Sequence, residues 1–305
     1  MLLVLAMLPA ALVAEERLGF IAEHMIEVQS DARYLALPEI ESPGVGDASR
    51  FDVGYLGASG GVFSSSALML GLQHYFASTD QPSQGWMLGG FLDLIRFDGD
   101  SGDTTLDPQF ASSFPFPVPL NITVQDISGD ALHAGISLSF IKYTSPTLAW
   151  QTGLVLEYYS VNELKVNFTT RDLPANFDGF ADYAADYHAL TPFFSTRYFF
   201  PQQSENYRFS SRFVAAWPLP RRGFSGEVSG PGFDVSGNTD DAGNGTHIPD
   251  PFFGIGFTIE GKSPEDKSPG WRLDIGTSLW LYVFEGKTHE GIDPPIFIHF
   301  SLPLD

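Results

Sequence analysis

The chain has 305 residues, no cysteine and a net charge of −21, from 16 Lys+Arg against 37 Asp+Glu. Absent thiols exclude a disulfide framework, a thiolate metal site and a cysteine nucleophile; the acidic balance argues against nucleic acid as a partner and against docking on anionic lipid through a basic patch. A closed β-barrel routinely fills this length as a single domain.

In chain order, residues 1–14 come first, uncharged and rich in Leu, Val and Ala, with small residues at Ala10, Ala11 and Ala14. They read as a signal peptide that lacks the usual basic start, and they are too short for a membrane helix, which needs about 20 apolar residues. The remainder, 15–305, reads as one β-barrel domain. Leu18, Ile21, Ala22, Met25 and Ile26 keep helical spacing, so 15–29 is either an amphipathic helix or the first strand. If it is a helix, 51–57 supplies that strand, turning at Gly57–Gly61.

Strands follow near 62–77 and 84–98, 129–143 and 147–160, 186–200 and 205–218, 251–261 and 270–284, with a last one near 294–304. Leu132, Ala134, Ile136, Leu138 and Phe140 fall on one face and His133, Gly135, Ser137 and Ser139 on the other. Successive strand side chains point to opposite faces, so this is a two-faced strand. Connections alternate between short ones (78–84, 144–147, 201–204, 261–270) and long ones (98–128, 161–186, 219–250). The sum is an all-β, antiparallel up-and-down transmembrane barrel of about ten strands, range eight to twelve, with hydrocarbon on the apolar side.

This pattern resembles the outer-membrane β-barrel proteins of Gram-negative bacteria over nearly the whole chain. The resemblance implies the outer membrane as location, short periplasmic turns, long external loops and barrel-assembly machinery as a partner. Such proteins usually end on an aromatic residue that the machinery reads. Here the last one is Phe300, followed by Ser301-Leu302-Pro303-Leu304-Asp305.

Turning the apolar face outward sends Asp93, Glu157, Arg197, Arg208, Arg212, Glu260, Arg272 and Asp274 into the lumen. A buried ion without a partner costs several kcal/mol, so these charges are expected to pair and largely plug a barrel this narrow. Tyr75, Phe76, Trp86, Tyr143, Trp150, Tyr198, Phe200, Tyr207 and Trp271 lie near the short turns, where rings can form a girdle at headgroup level. Phe51, Tyr158, Trp217 and Phe284 are candidates for the opposite rim.

The long connections are acidic: Asp98, Asp100, Asp103 and Asp107; Asp172, Asp178, Asp182 and Asp186; Asp234, Asp240, Asp241 and Asp250. Their oxygens could bridge divalent ions to lipopolysaccharide phosphates. Residues 98–103 start like a calcium loop but lack its regular third ligand. Gly57-Ala58-Ser59-Gly60-Gly61 matches a nucleophile elbow literally, in a setting with no βαβ unit. The remaining histidines show no metal-ligand spacing, and neither a cofactor nor a metal is expected.

Asp98 with Asp100, and Asp186 with His188, resemble the Asp-x-Asp and Asp-x-His pairs of the omptin proteases. That resemblance implies a water activated across the barrel mouth by a carboxylate-held histidine, although the flanking sequences differ and the second pair lies one loop early. The leading expectation is a non-enzymatic barrel with a structural or surface-interaction role, or a narrow path for small solutes. The alternatives are a rim-site hydrolase or protease and a soluble periplasmic lipid-binding barrel.

Overall fold

The computed structural model describes residues 32–36, 48–60, 63–78, 81, 83–99, 102–105, 121–170, 177–201, 206–219, 224–230, 233–238, 252–262, 269–278 and 296–304. The strands are β1 (Ala48–Gly60), β2 (Phe63–Ala77), β3 (Gln84–Gly99), β4 (Gly102–Thr105), β5 (Asn121–Ser145), β6 (Leu148–Thr170) and β7 (Phe177–Phe199). They continue with β8 (Tyr207–Ala216), β9 (Phe224–Gly230), β10 (Phe233–Asn238), β11 (Phe252–Lys262), β12 (Pro269–Ser278) and β13 (Ile296–Leu304).

Ten of these close a ring in the order β1, β2, β3, β5, β6, β7, β8, β11, β12, β13, and every pairing is antiparallel. β1 closes it against β13, from Phe51 opposite Leu304 to Ser59 opposite Ile296. The strand at 51–57 is therefore real, and the ring is complete without residues 15–29, which lie outside the described residues, as does 1–14. Ser59 of the elbow-like motif sits in β1 between β2 and β13, with no helix after it.

Alternation sets which side chains face the lumen. In β3, Met87, Phe91, Asp93, Ile95 and Phe97 are buried while Trp86, Leu88 and Leu94 are exposed. The same rule exposes Leu72, Ile136 and Leu156 at 57%, 60% and 59%. An exterior of Leu, Ile and Phe is the reverse of a water-soluble barrel, whose outer face is polar, so the soluble lipid-binding alternative falls. Among the described residues no helix is long and apolar enough to cross a membrane; the crossing is made by strands.

Part of the long connections is itself strand. β5, β6 and β7 have 25, 23 and 23 residues, against the roughly ten that cross a bilayer. Their upper halves continue as sheet, with β4 added to β5 and the β9–β10 hairpin added to β7. Asp103, Asp178, Asp182, Asp186 and Asp234 thus lie on strands, and Gly102–Thr105, which overlaps the stretch that starts like a calcium loop, is a strand. Asp100, Asp107, Asp172, Asp240, Asp241 and Asp250 are outside the described residues. Register shifts at Asp130/Ala131 and at Val161/Leu164 fall where the extension leaves the ring, as bulges do at barrel rims.

An arginine on the outer face tests the solvent assignment. Ile136→Arg is expected to lower the stability of the barrel in lipid vesicles by about 2–4 kcal/mol, read as a shifted denaturant midpoint. A smaller change in a water-soluble state would mean that no hydrocarbon borders this face.

Candidate functional site

Ala32–Leu35 forms one helical turn inside the ring, and each residue from Ala32 to Ala36 is buried. The turn is closed by backbone bonds from Ala36 N–H to the carbonyls of Ala32 and Arg33, at 3.2 and 3.0 Å. One turn fixes several dihedrals for very few hydrogen bonds and is not stable alone. Its stability comes from the wall around it.

Two acids from the β3–β5–β6 side hold it. Arg33 Nη1 lies 3.6 Å from Asp93, and its guanidinium stacks 4.1 Å from the centre of the Phe91 ring. Tyr34 Oη donates to Glu157 at 2.6 Å, and Thr191 Oγ1 donates to the same carboxylate oxygen. His133 joins the acids: Nε2 is 2.9 Å from Glu157 and Nδ1 is 3.7 Å from Asp93. On the opposite wall Arg212 Nη1 donates to the Leu35 carbonyl at 2.8 Å.

Apolar fit completes the seat. The Tyr34 ring packs 5.8 Å from Phe252. A Cβ at Gly276 would stand 2.7 Å from Leu35 Cδ1, and one at Gly254 3.2 Å from Leu35 Cδ2. Glycine is what lets the wall receive the leucine.

The sequence-derived lumen charges divide around this seat. Asp93, Glu157, Arg197, Arg212, Glu260, Arg272 and Asp274 are buried, and Arg208 is half-buried opposite Glu260 in the β8–β11 register. Arg197 pairs with Glu260; Arg272 pairs with Asp274 at 2.8 Å, and His299 adds a contact to Asp274 at 2.7 Å. Below them, Tyr75, Met87, Ile141, Tyr143, Ala149 and Phe199 form an apolar cluster at the short-turn end. Among the described residues no group of His, Asp or Glu is arranged to hold a metal.

Alternation corrects part of the aromatic assignment. Tyr75 and Tyr143 are buried in the lumen, because their parity is that of the polar face. Phe76, Trp86, Tyr198 and Tyr207 are exposed on the outside, with Trp150, Phe200 and Trp271 partly so. Ring contacts run along that outer band: Trp86–Phe140 at 5.4 Å, Phe140–Trp150 at 5.7 Å, Tyr207–Trp271 at 6.1 Å and Trp271–Phe300 at 6.4 Å. Phe51 lies toward the short-turn end, paired with Leu304 and Leu72, and is no marker of the opposite rim. Phe284 lies outside the described residues.

The described members of the omptin-like pairs, Asp98 and His188, do not converge. Asp98 is exposed on the outer face beside Arg96, at 3.6 Å. His188 is exposed on the outer face of β7 and stacks on Tyr158 at 5.0 Å. Both point away from the lumen, so neither reaches across the mouth toward the other. The Asp186 side chain and Asp100 lie outside the described residues.

Sequence reasoning missed Arg33, Tyr34 and Leu35. A signal was present: among the lumen charges read from the sequence, Asp93 and Glu157 fall on the earlier strands and the arginines on β7, β8 and β12, while Arg50 of β1 also faces inward and pairs with Asp52. His133 was placed on the inner face without a role, although it is the residue that links the two acids.

A closed, even-stranded antiparallel ring with an apolar coat and a polar, ion-paired interior defines a transmembrane β-barrel of the bacterial outer-membrane class. No family model matches the chain, and no curated protein matches it. Among solved structures, a mutant of the monoaromatic hydrocarbon channel TodX is similar at 11% identity and TM-score 0.39, over 86% of this chain and 70% of that one. The toluene transporter TbuX of Ralstonia pickettii follows at 9% and 0.36, over 86% and 92%. The translocator domain of the autotransporter NalP from Neisseria meningitidis is similar at 7% and 0.31, over 95% and 97%. These scores point to no particular member of the class.

A single introduced thiol can report on the seat, because the chain has none of its own. In an Ala36→Cys chain, labelling by a water-soluble maleimide is expected to be slow. Adding Arg33→Ala should speed it about tenfold or more, since a loss of ~1.4 kcal/mol already does so and breaking a buried ion pair costs more. Equal labelling rates would show that Arg33 does not hold the turn.

Proposed function

We propose that this protein is an outer-membrane barrel offering a narrow, gated path to a small solute, with Ala32–Ala36 as the closure. One observation carries this: five consecutive buried residues lie at the charged level of the lumen, tied by ion pairs and hydrogen bonds. A ten-stranded lumen is only slightly wider than an eight-stranded one, which side chains nearly fill, so one helical turn is enough to stop flow. Polar ties suit a gate, because water or a solute can replace each of them at small net cost.

The outer aromatic band acts as the girdle at headgroup level, on the side of the short turns. The acidic residues of the extended sheet supply oxygen ligands through which divalent ions would bridge to lipopolysaccharide phosphates. Partner recognition outside the cell belongs to that extension, and assembly in the membrane to the barrel-assembly machinery.

Planar-bilayer recording tests the closure. The full chain is expected to show no steady current of porin size. The variant carrying Arg33→Ala, Tyr34→Ala and Leu35→Gly is expected to conduct steadily. A porin-sized current through the full chain, or silence in the variant while heat-modifiable gel mobility shows it folded, would refute the gate.

A further inference from the structure

We infer that the lumen position held by Ala32–Ala36 is a binding site for a short cationic peptide, with a basic residue followed by an aromatic one. This rests on the proposed closure being displaceable. The wall reads the segment through features that any such peptide carries. Asp93 and the Phe91 ring take a guanidinium. Glu157 takes a phenol. Arg212 takes a backbone carbonyl. The notch at Gly276 takes a branched apolar side chain.

The resident occupant leaves contacts unmade. Arg33 reaches Asp93 only at 3.6 Å, and its guanidinium donates a long hydrogen bond to the Met69 sulfur at 3.8 Å. Its Nε and both Asp93 carboxylate oxygens are buried without a hydrogen-bond partner. Buried polar atoms are normally satisfied, and charge-assisted bonds are about twice as strong as neutral ones. A ligand whose cation sits closer to Asp93 would therefore gain what the tethered residue does not.

Beside Arg33 lies a water-sized cavity of about 30 Å³, lined by Arg50, Asp52, Gln73, Arg272, His299 and Ser301. Gln73 Oε1 is buried there without a donor, so an additional N–H of the ligand would be received. The segment in place is thus a built-in competitor, and a peptide entering the lumen would lift it by occupying its contacts.

The test uses the full-length chain with Arg33→Ala, Tyr34→Ala and Leu35→Gly, folded in detergent, and a fluorescent, C-terminally amidated peptide with the sequence of residues 32–36, which carries one net positive charge. Anisotropy is expected to show saturable binding. Affinity should fall about tenfold or more when the peptide carries Glu in place of its Arg, and likewise when the barrel also carries Asp93→Asn. The chain with its own segment intact should bind more weakly than the variant. Equal affinity for both peptides, or no binding by a variant shown folded by heat-modifiable mobility, would overturn the site. A variant that conducts without binding refutes the site alone; one that binds yet stays silent in bilayers refutes the gate alone.

Discussion

Pairing of backbone groups against hydrocarbon is the constraint from which the rest follows. A strand bordering lipid has no water to satisfy its N–H and C=O groups, so its sheet must close on itself. The β1–β13 ladder performs that closure between the first and last strands of the ring. Once the ring is shut, alternation leaves no freedom: each apolar residue facing lipid forces its neighbours inward. Polar and charged groups accumulate in a narrow lumen because they have nowhere else to go.

That accumulation creates a problem of charge that the wall alone does not solve. On the later strands the arginines find carboxylates close by, as Arg197 does with Glu260 and Arg272 with Asp274. On the early strands Asp93 and Glu157 share His133, and Thr191 also donates to Glu157. Arg33 and Tyr34 bring a cation and a hydroxyl to these two acids. The interior is therefore completed by a segment that belongs to no strand. A tie of this kind is strong while dry and weaker once water enters, which suits the proposed gate.

The long sheet beyond the ring has a different physical basis. Above the bilayer, water is available and strands need not close, so β5, β6 and β7 continue as an open sheet and collect β4 and the β9–β10 hairpin at their edges. The bulges near Ala131 and Asn162 mark the change of surroundings. Asp126, Asp130 and Glu163 are exposed there.

Much of the barrel was written in the order of residues. Period-two alternation is a local property, and it determined nine of the ring's ten strands, the lipid-facing side and the inward direction of Asp93, Glu157, Arg197 and their companions. The tertiary structure decided what local order does not carry: which strand meets which, that Tyr75 and Tyr143 turn inward, that acidic stretches extend the sheet, and that Asp98 and His188 point apart. Above all it decided that Arg33, Tyr34 and Leu35, which follow no alternation, lodge against walls up to 177 residues away in sequence. Contacts at such separation depend on ring closure, and a pattern read a few residues at a time does not contain them.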